Sequence, residues 1–314
     1  MLGSTLSRTP DEYRQDEWTR PVSAAEVHKA DPREQLLVGW RPTGADRFAI
    51  DARWPAGHRF YAGPRGTRDP LLLIECVRQA IPMLCHAAYG VPQGFRQAWS
   101  DLRFVFEPAV LASRGVPADA ELDVVCTDIV RRGTRIAGMT MSVQASLKGV
   151  PAARVQTRFS NQSPAIYERL RGAYTVEEAH ARALAPGRPV PPPLVGRERA
   201  ADVVLSPSPA PDRWYLRSDL NHPVLFDHPV DHVPGMLLLE AARQAALAAS
   251  PQRSAVLGMR TVFKRYAEFD TPCVVVAGRA GAPAGPEGSR VTLVTVEQNG
   301  ARIFAAEVST APLG

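Results

Sequence analysis

The chain of 314 residues is long enough for two domains of roughly 150 residues, each with its own core. Its apolar fraction of 45% and charged fraction of 22% exclude a disordered or fibrous protein, and no apolar run approaches the ~18 to 20 residues of a membrane span. The net charge of +5 rests almost wholly on arginine, with Lys29, Lys148 and Lys264 the only lysines; such a surface suits an acidic partner or a phosphorylated substrate, and the lack of a basic block interleaved with aromatics argues against nucleic acid.

Residues 1–25 form a polar leader that mixes acids and bases and has no apolar core, so no secretory signal is expected and the cytoplasm is the expected location. LLVGW (36–40) and DRFAIDARW (46–54) read as short strands. DPLLLIECVRQAIPMLCHAAYG (69–90) reads as a helix, with an Asp to cap it, a Pro suited to its first turn and a Gly at its end. RFVFEP, ELDVVCTDIVRR, RIAGMTMSVQASL and ARVQTRFS follow as antiparallel strands. A linking helix is expected over 163–184, then a Pro-rich connector, APGRPVPPPLVGR. ADVVL and WYLRS open a second series, with a helix from about Pro234 to Ala249 and the strands RTVFKRYAEF, CVVVAGRA, RVTLVTVEQ and ARIFAAEVST. The Gly/Pro stretch at 278–290 has neither phosphate-loop spacing nor a following helix and reads as a hairpin loop. Cys76, Cys85, Cys126 and Cys273 are scattered and read as reduced packing residues.

The two series are one pattern written twice. YAGPRGTRDPLLLIECVRQA (61–80) lies without gaps on FDHPVDHVPGMLLLEAARQA (226–245), an offset of 165 residues. Glu75 falls on Glu240, Arg78 on Arg243 and Gln79 on Gln244. Both helices are apolar on nearly every side, so each is surrounded by protein. A buried helix wrapped by an antiparallel sheet is the hotdog architecture. The expected fold is therefore α+β, a tandem hotdog with domains at 26–165 and 196–314 joined by the linker 166–195.

On a helix, residues i, i+3 and i+4 share a face, so each Glu, Arg and Gln project together. A core ion pair at a domain interface explains them; so does a functional site. The polar run before the second helix, Asn221, His222, Asp227, His228, Asp231 and His232, supports a site, although loop capping accounts for the same residues. The first N–H groups of that helix, at Gly235, are unpaired and positively polarised, suited to a thioester oxygen. The histidine spacing gives no regular metal face, and there is neither a Gly-x-Ser-x-Gly elbow nor a thiol with a matching base.

PGMLLLEAARQA resembles the helix start of the hotdog acyl-carrier-protein dehydratases. Their catalytic histidine lies fourteen residues before the helix carboxylate, where this chain has Tyr61 and Phe226. The blocks VHKADPREQLLVGW, WPAGHRFY with DPLLLIECVRQA, and NHPVLFDHPVDHVPGMLLLEAARQA are similar to those of the A-factor synthase (AfsA-like) hotdog family, in its order and spacing. The resemblance implies an acyltransferase that condenses a 3-oxoacyl group from acyl carrier protein with dihydroxyacetone phosphate, a step toward a γ-butyrolactone or butenolide autoregulator. It implies Glu240, Arg243, Glu75 and Arg78 as catalytic candidates, with the repeat used left open. Glu240 suits a base and Arg243 or Arg78 the phosphate; Gln244, Gln79, Gly235, His228 and His222 are candidates for binding substrate. No cofactor or metal is expected, and the assembly is left open between monomer and homodimer. The alternatives are a hotdog thioesterase or hydratase acting on acyl thioesters, and a non-catalytic lactone-binding protein.

Overall fold

The computed structural model describes residues 19–312 apart from 56, 64–66, 113–116, 173, 251 and 280–288. Most of the leader and most of the 278–290 loop therefore lie outside the described residues. The first half contains β1 (Arg20–Pro21), β2 (Leu37–Gly44), β3 (Arg47–Trp54), α1 (Pro70–Ala87), β4 (Arg96–Phe106), a short α2 (Pro108–Ala112), β5 (Ala118–Arg132), β6 (Arg135–Leu147) and β7 (Val150–Gln162). After α3 (Pro164–Arg171) and α4 (Val176–Ala181) come β8 (Leu205–Pro207), β9 (Arg213–Leu216), α5 (Gly235–Ala248), β10 (Ser254–Phe263), β11 (Val274–Arg279), β12 (Arg290–Gln298) and β13 (Ala301–Pro312).

The strands make one continuous sheet, in the order β1-β2-β3-β5-β6-β7-β4-β10-β13-β12-β11-β9-β8. Outward from the β4–β10 seam, β4-β7-β6-β5-β3-β2 on one side is matched by β10-β13-β12-β11-β9-β8 on the other. This is the tandem hotdog expected from the repeat. The strand β5 shows why the sheet wraps a helix: Ala118, Ala120, Leu122, Val124 and Cys126 are buried while their neighbours face outward. Apart from Glu75, Arg78, Gln79 and His86 the helix α1 carries only apolar side chains, and Leu71, Leu72, Leu73 and Ile74 are fully buried. Asp69 caps it, its carboxylate accepting the Leu71 N–H at 2.9 Å. All four cysteines are free and buried.

Several elements depart from the sequence reading: ADVVL is a 3-10 turn at Ala200–Asp202 with a strand only from Leu205, and the strand expected at RTVFKRYAEF spans Ser254–Phe263. The single linking helix is two short ones, because Gly172 leaves α3 at φ 65° and Thr175 starts α4 with a capping box to Glu178. The strand β4 begins at Arg96 rather than near residue 103; the stretch before it lacks alternation but pairs with β7 across a register shift between Trp99 and Asp101.

The seam joins the halves through five residue pairs, from Gly258–Val105 to Val262–Asp101. Backbones approach closely there: a Cβ on Gly258 would lie 2.6 Å from the Phe104 carbonyl oxygen. Gly258→Val should therefore cost about 1–3 kcal/mol of stability by overpacking, measured as a lower urea midpoint with an unchanged slope; an unaltered midpoint would show that the seam tolerates a side chain.

Candidate active site

One cavity of about 740 Å³ opens between the halves. Its walls include His28, Lys29, Tyr61, Glu75 and Arg78 from the first half, and Asp227, His228, Gly235, Met236 and Leu238 from the second. One side is apolar, with Ile81, Pro82, Trp99, Phe263 and Leu238. A second depression of about 800 Å³ lies among Arg47, Arg103, Arg154 and Arg260 and includes none of the candidate site residues.

Within the cavity, Glu75 accepts from Arg78 Nε and Nη2 (each 2.8 Å) and from Gln79 Nε2 (3.0 Å), and its Oε1 lies 3.0 Å from Lys29 Nζ. Burial alone would raise its pKa, but Arg78 and Lys29 outweigh this and hold the carboxyl well below the usual range. Lys29 also reaches Asp227 at 3.8 Å, tying the first half to the loop before α5. Asp227 in turn accepts the Ala30 N–H (2.9 Å) and lies 2.8 Å from His228 Nδ1. In the same cavity lining as His228, α5 begins at Gly235 with Pro234 as its N-cap and no side-chain cap. A Cβ on Gly235 would come within 2.9 Å of the Trp99 ring, so only glycine lets the aromatic wall close on this helix end.

The second carboxylate has matching partners and lines neither of these two cavities. Glu240 is fully buried; it accepts from Arg243 Nε (2.8 Å) and Nη2 (2.7 Å), from Gln244 Nε2 (2.6 Å) and from Arg197 Nε (2.9 Å). Against the opposing effect of burial, the guanidiniums of Arg197 and Arg243 bring its pKa down to about 2. Arg197 stands where Lys29 stands in the first half, 168 residues earlier. Its guanidinium fills the space that is open on the other side, donating to the Phe60 carbonyl (2.6 Å), lying 3.1 Å from Asp69 and stacking 4.3 Å from the Phe60 ring centre. The N-terminus of α1 is thus capped by Asp69 and covered, whereas that of α5 is uncapped and lines the cavity. Glu240 and Arg243, expected as catalytic, sit in a closed strut because two buried guanidiniums and an amide consume the carboxylate.

Three further candidate residues also have internal partners. Gln79 accepts the Leu36 N–H (2.9 Å) and donates to the Glu34 carbonyl (2.8 Å); Gln244 does the same with Val204 (2.9 Å) and Asp202 (2.8 Å). Their amides brace the incoming chain: both N–H groups are taken, one by that carbonyl and one by the helix carboxylate, and each oxygen holds a backbone N–H. His222 is buried, with Nδ1 accepting the Val224 and Leu225 N–H groups (3.3 and 3.1 Å), so it shapes a loop. His58 does the same for Phe60 and Tyr61 in the first half.

Sequence reasoning gave no role to Lys29, Arg197, Arg96 or the His28–His86 pair. His28 and Lys29 stand in a quoted block, and a second comparison at an offset of 168 would have matched Lys29 to Arg197. His86 Nδ1 lies 2.6 Å from the Val91 carbonyl, so it carries the proton; its Nε2 then accepts from His28 Nε2 at 3.2 Å. Burial, then His86, Arg78, His228 and Arg96, depress the pKa of His28 to about 4, leaving the ring neutral.

A family model described as the A-factor biosynthesis hotdog domain matches residues 11–162 and 179–313. Two relatives, each named 2-oxo-3-(phosphooxy)propyl 3-oxoalkanoate synthase, are 43% identical (Streptomyces virginiae) and 40% identical (Streptomyces coelicolor) to this chain. The first alignment covers 93% of this chain and 98% of the relative, the second 92% and 91%. Among solved structures, the 12:0-ACP thioesterase of Umbellularia californica superposes with a TM-score of 0.53 at 12% identity, over 84% of this chain and 98% of that one. A putative oleoyl thioesterase from Lactobacillus plantarum gives 0.51 at 10% identity, over 87% and 98%. At such identities the likeness is one of fold.

Arg197→Ala would leave buried Asp69 without its cation and Glu240 with Arg243 alone, so chemical denaturation should register a loss of about 3–5 kcal/mol; a loss under ~1 kcal/mol would contradict the strut. A neutral His28 binds its proton later than the unfolded chain does, which titrates near 6.5. Its contribution to stability is therefore present above about pH 6.5 and is lost as the pH falls toward 4. His28→Gln should flatten the stability profile in that window, read by thermal melts at stepped pH, and an unchanged slope would argue against a neutral His28.

Proposed function

Because the chain belongs to the A-factor biosynthesis hotdog family, we infer that it is an acyltransferase joining a 3-oxoacyl group to dihydroxyacetone phosphate, the ester its relatives' shared name describes. The product is a phosphorylated precursor of a γ-butyrolactone or butenolide signal. In this reading the donor is acyl carrier protein and the reaction takes place in the cytoplasm; no helix among the described residues is long and apolar enough to cross a membrane.

The observation that carries the reading to particular residues is the contrast between the two carboxylate clusters: Glu75 and Arg78 line an amphipathic cavity, while Glu240 and Arg243 are sealed by Arg197. The working site is the Glu75 site. Glu75 is too strongly held by Arg78, Lys29 and Gln79 to serve as a base. It fixes Arg78, whose Nε and Nη2 are spent on it, and leaves Nη1 for substrate. The base is His228. The Asp227 carboxylate takes its Nδ1–H at 2.8 Å, which leaves the lone pair on Nε2.

The step then balances simply. His228 Nε2 accepts the proton of the triose hydroxyl, and the hydroxyl oxygen bonds to the thioester carbon. Charge on the carbonyl oxygen is met by the uncapped N–H groups of Gly235 and Met236. Collapse breaks the C–S bond, and the thiolate leaves with the proton held by His228. The acyl chain lies along Ile81, Pro82, Leu238, Trp99 and Phe263.

Ester formation from 3-oxoacyl carrier protein and dihydroxyacetone phosphate, followed by mass spectrometry, tests the assignment. Glu75→Gln and Arg78→Ala should lose product. His228→Gln should fall by about 10²–10⁴ in kcat, and folded Glu240→Gln should still turn over. Wild-type rates in His228→Gln would sink the base assignment, and thioester hydrolysis independent of the triose would favour a thioesterase.

A further inference from the structure

The phosphate of the acceptor carries two negative charges into the cavity and needs cations that are not already spent. Six cationic side chains line it: Lys29, Arg78, Arg96, Arg171, Lys264 and Arg265. Lys29 and Arg78 are matched by Glu75 and Asp227. Arg171 is matched by Asp231 at 3.0 Å and Glu268 at 2.5 Å. Arg96, Lys264 and Arg265 form no ion pair among the described residues.

Arg96 is nevertheless braced. Its guanidinium carbon lies over the Tyr167 ring, 5.5 Å from its centre, a cation–π contact that leaves its N–H groups without a hydrogen-bond partner among the described residues. Tyr167 is fixed in turn, its hydroxyl donating to Asp231 at 2.5 Å and its ring meeting Tyr266 edge-on at 6.0 Å. Arg96 lines the same cavity as His28, Arg78 and His228. Lys264 and Arg265 follow β10, both backbone N–H groups bonded to the Ile303 carbonyl (2.8 and 3.3 Å).

We propose that Arg96, with Lys264 and Arg265, forms the subsite for the phosphate monoester of the acceptor substrate. This rests on the acyltransfer reading and deepens it. A planar fork with free N–H edges matches two phosphate oxygens at once, and the paired Arg78 and sealed Arg243 do not supply one.

Two measurements test the subsite separately from the reaction. Inorganic phosphate titrated into the full-length protein, followed by calorimetry, should bind wild type and should bind Arg96→Ala about ten- to hundredfold more weakly, the range for a lost charge-assisted pair. In the ester assay, Arg96→Ala should lower the ratio of kcat/KM for dihydroxyacetone phosphate over dihydroxyacetone by a similar factor, leave KM for the acyl donor unchanged, and be partly rescued by Arg96→Lys. Phosphate affinity and selectivity ratio within twofold of wild type would overturn the subsite even where ester formation proceeds. Wild-type protein that binds phosphate through Arg96 but makes no ester would instead keep the subsite and remove the acyltransfer reading. Arg96 is exposed, so a matched melting curve establishes that the variant is folded.

Discussion

Each central helix carries a carboxylate almost wholly removed from water, and the rest of the molecule is arranged around keeping that charge. An uncompensated buried carboxylate costs several kcal/mol. Both copies meet this cost alike, with an arginine one turn along the helix, a glutamine on the same face and a cation from the segment ahead of the first long strand. Because that cation comes from a distant part of the chain, each carboxylate also fastens its helix to the incoming strand.

The cation decides what each copy becomes. A lysine is a single point of charge on a thin stem, and Lys29 neutralises Glu75 while leaving room beside it. An arginine is a broad plate with five donors. Arg197 uses them on Glu240, on the Phe60 carbonyl and against Asp69, filling the space that its counterpart leaves open. The caps follow the same division: Asp69 closes the start of α1, while Pro234 leaves the start of α5 with N–H groups available to a ligand. The cavity thus takes a helix face from one half, at Glu75 and Arg78, and a helix end from the other, at Gly235 and Met236.

Much of this was legible in the sequence. The Leu-Leu-x-x-Glu-x-x-Arg-Gln-Ala echo fixed the duplication and hence the tandem fold, and the uncapped Pro-Gly start of the second helix was visible as a binding feature. The assignment of roles was not. The ungapped offset of 165 that aligns the helices misses Lys29 and Arg197, which align at 168 because the connecting loops differ in length. Nothing local marks Arg78 as partly exposed at a cavity and Arg243 as covered, since both helices carry the same Glu-x-x-Arg-Gln set. Gln79, Gln244 and His222 looked available because their backbone partners lie far along the chain or in a turn that only the folded loop creates. Arg96 sits in a stretch with no strand alternation, and it matters only once α3 brings Tyr167 beneath it.

The central claim is that one chain holds one working site, at Glu75. It is tested most directly by the stoichiometry of an uncleavable 3-oxoacyl pantetheine amide, measured by calorimetry on wild type and on Glu75→Gln and Glu240→Gln proteins shown to be folded. The account expects one molecule bound per chain, with binding lost in the Glu75 variant and kept in the Glu240 variant. Two molecules per chain, or binding lost only when Glu240 is changed, would contradict it.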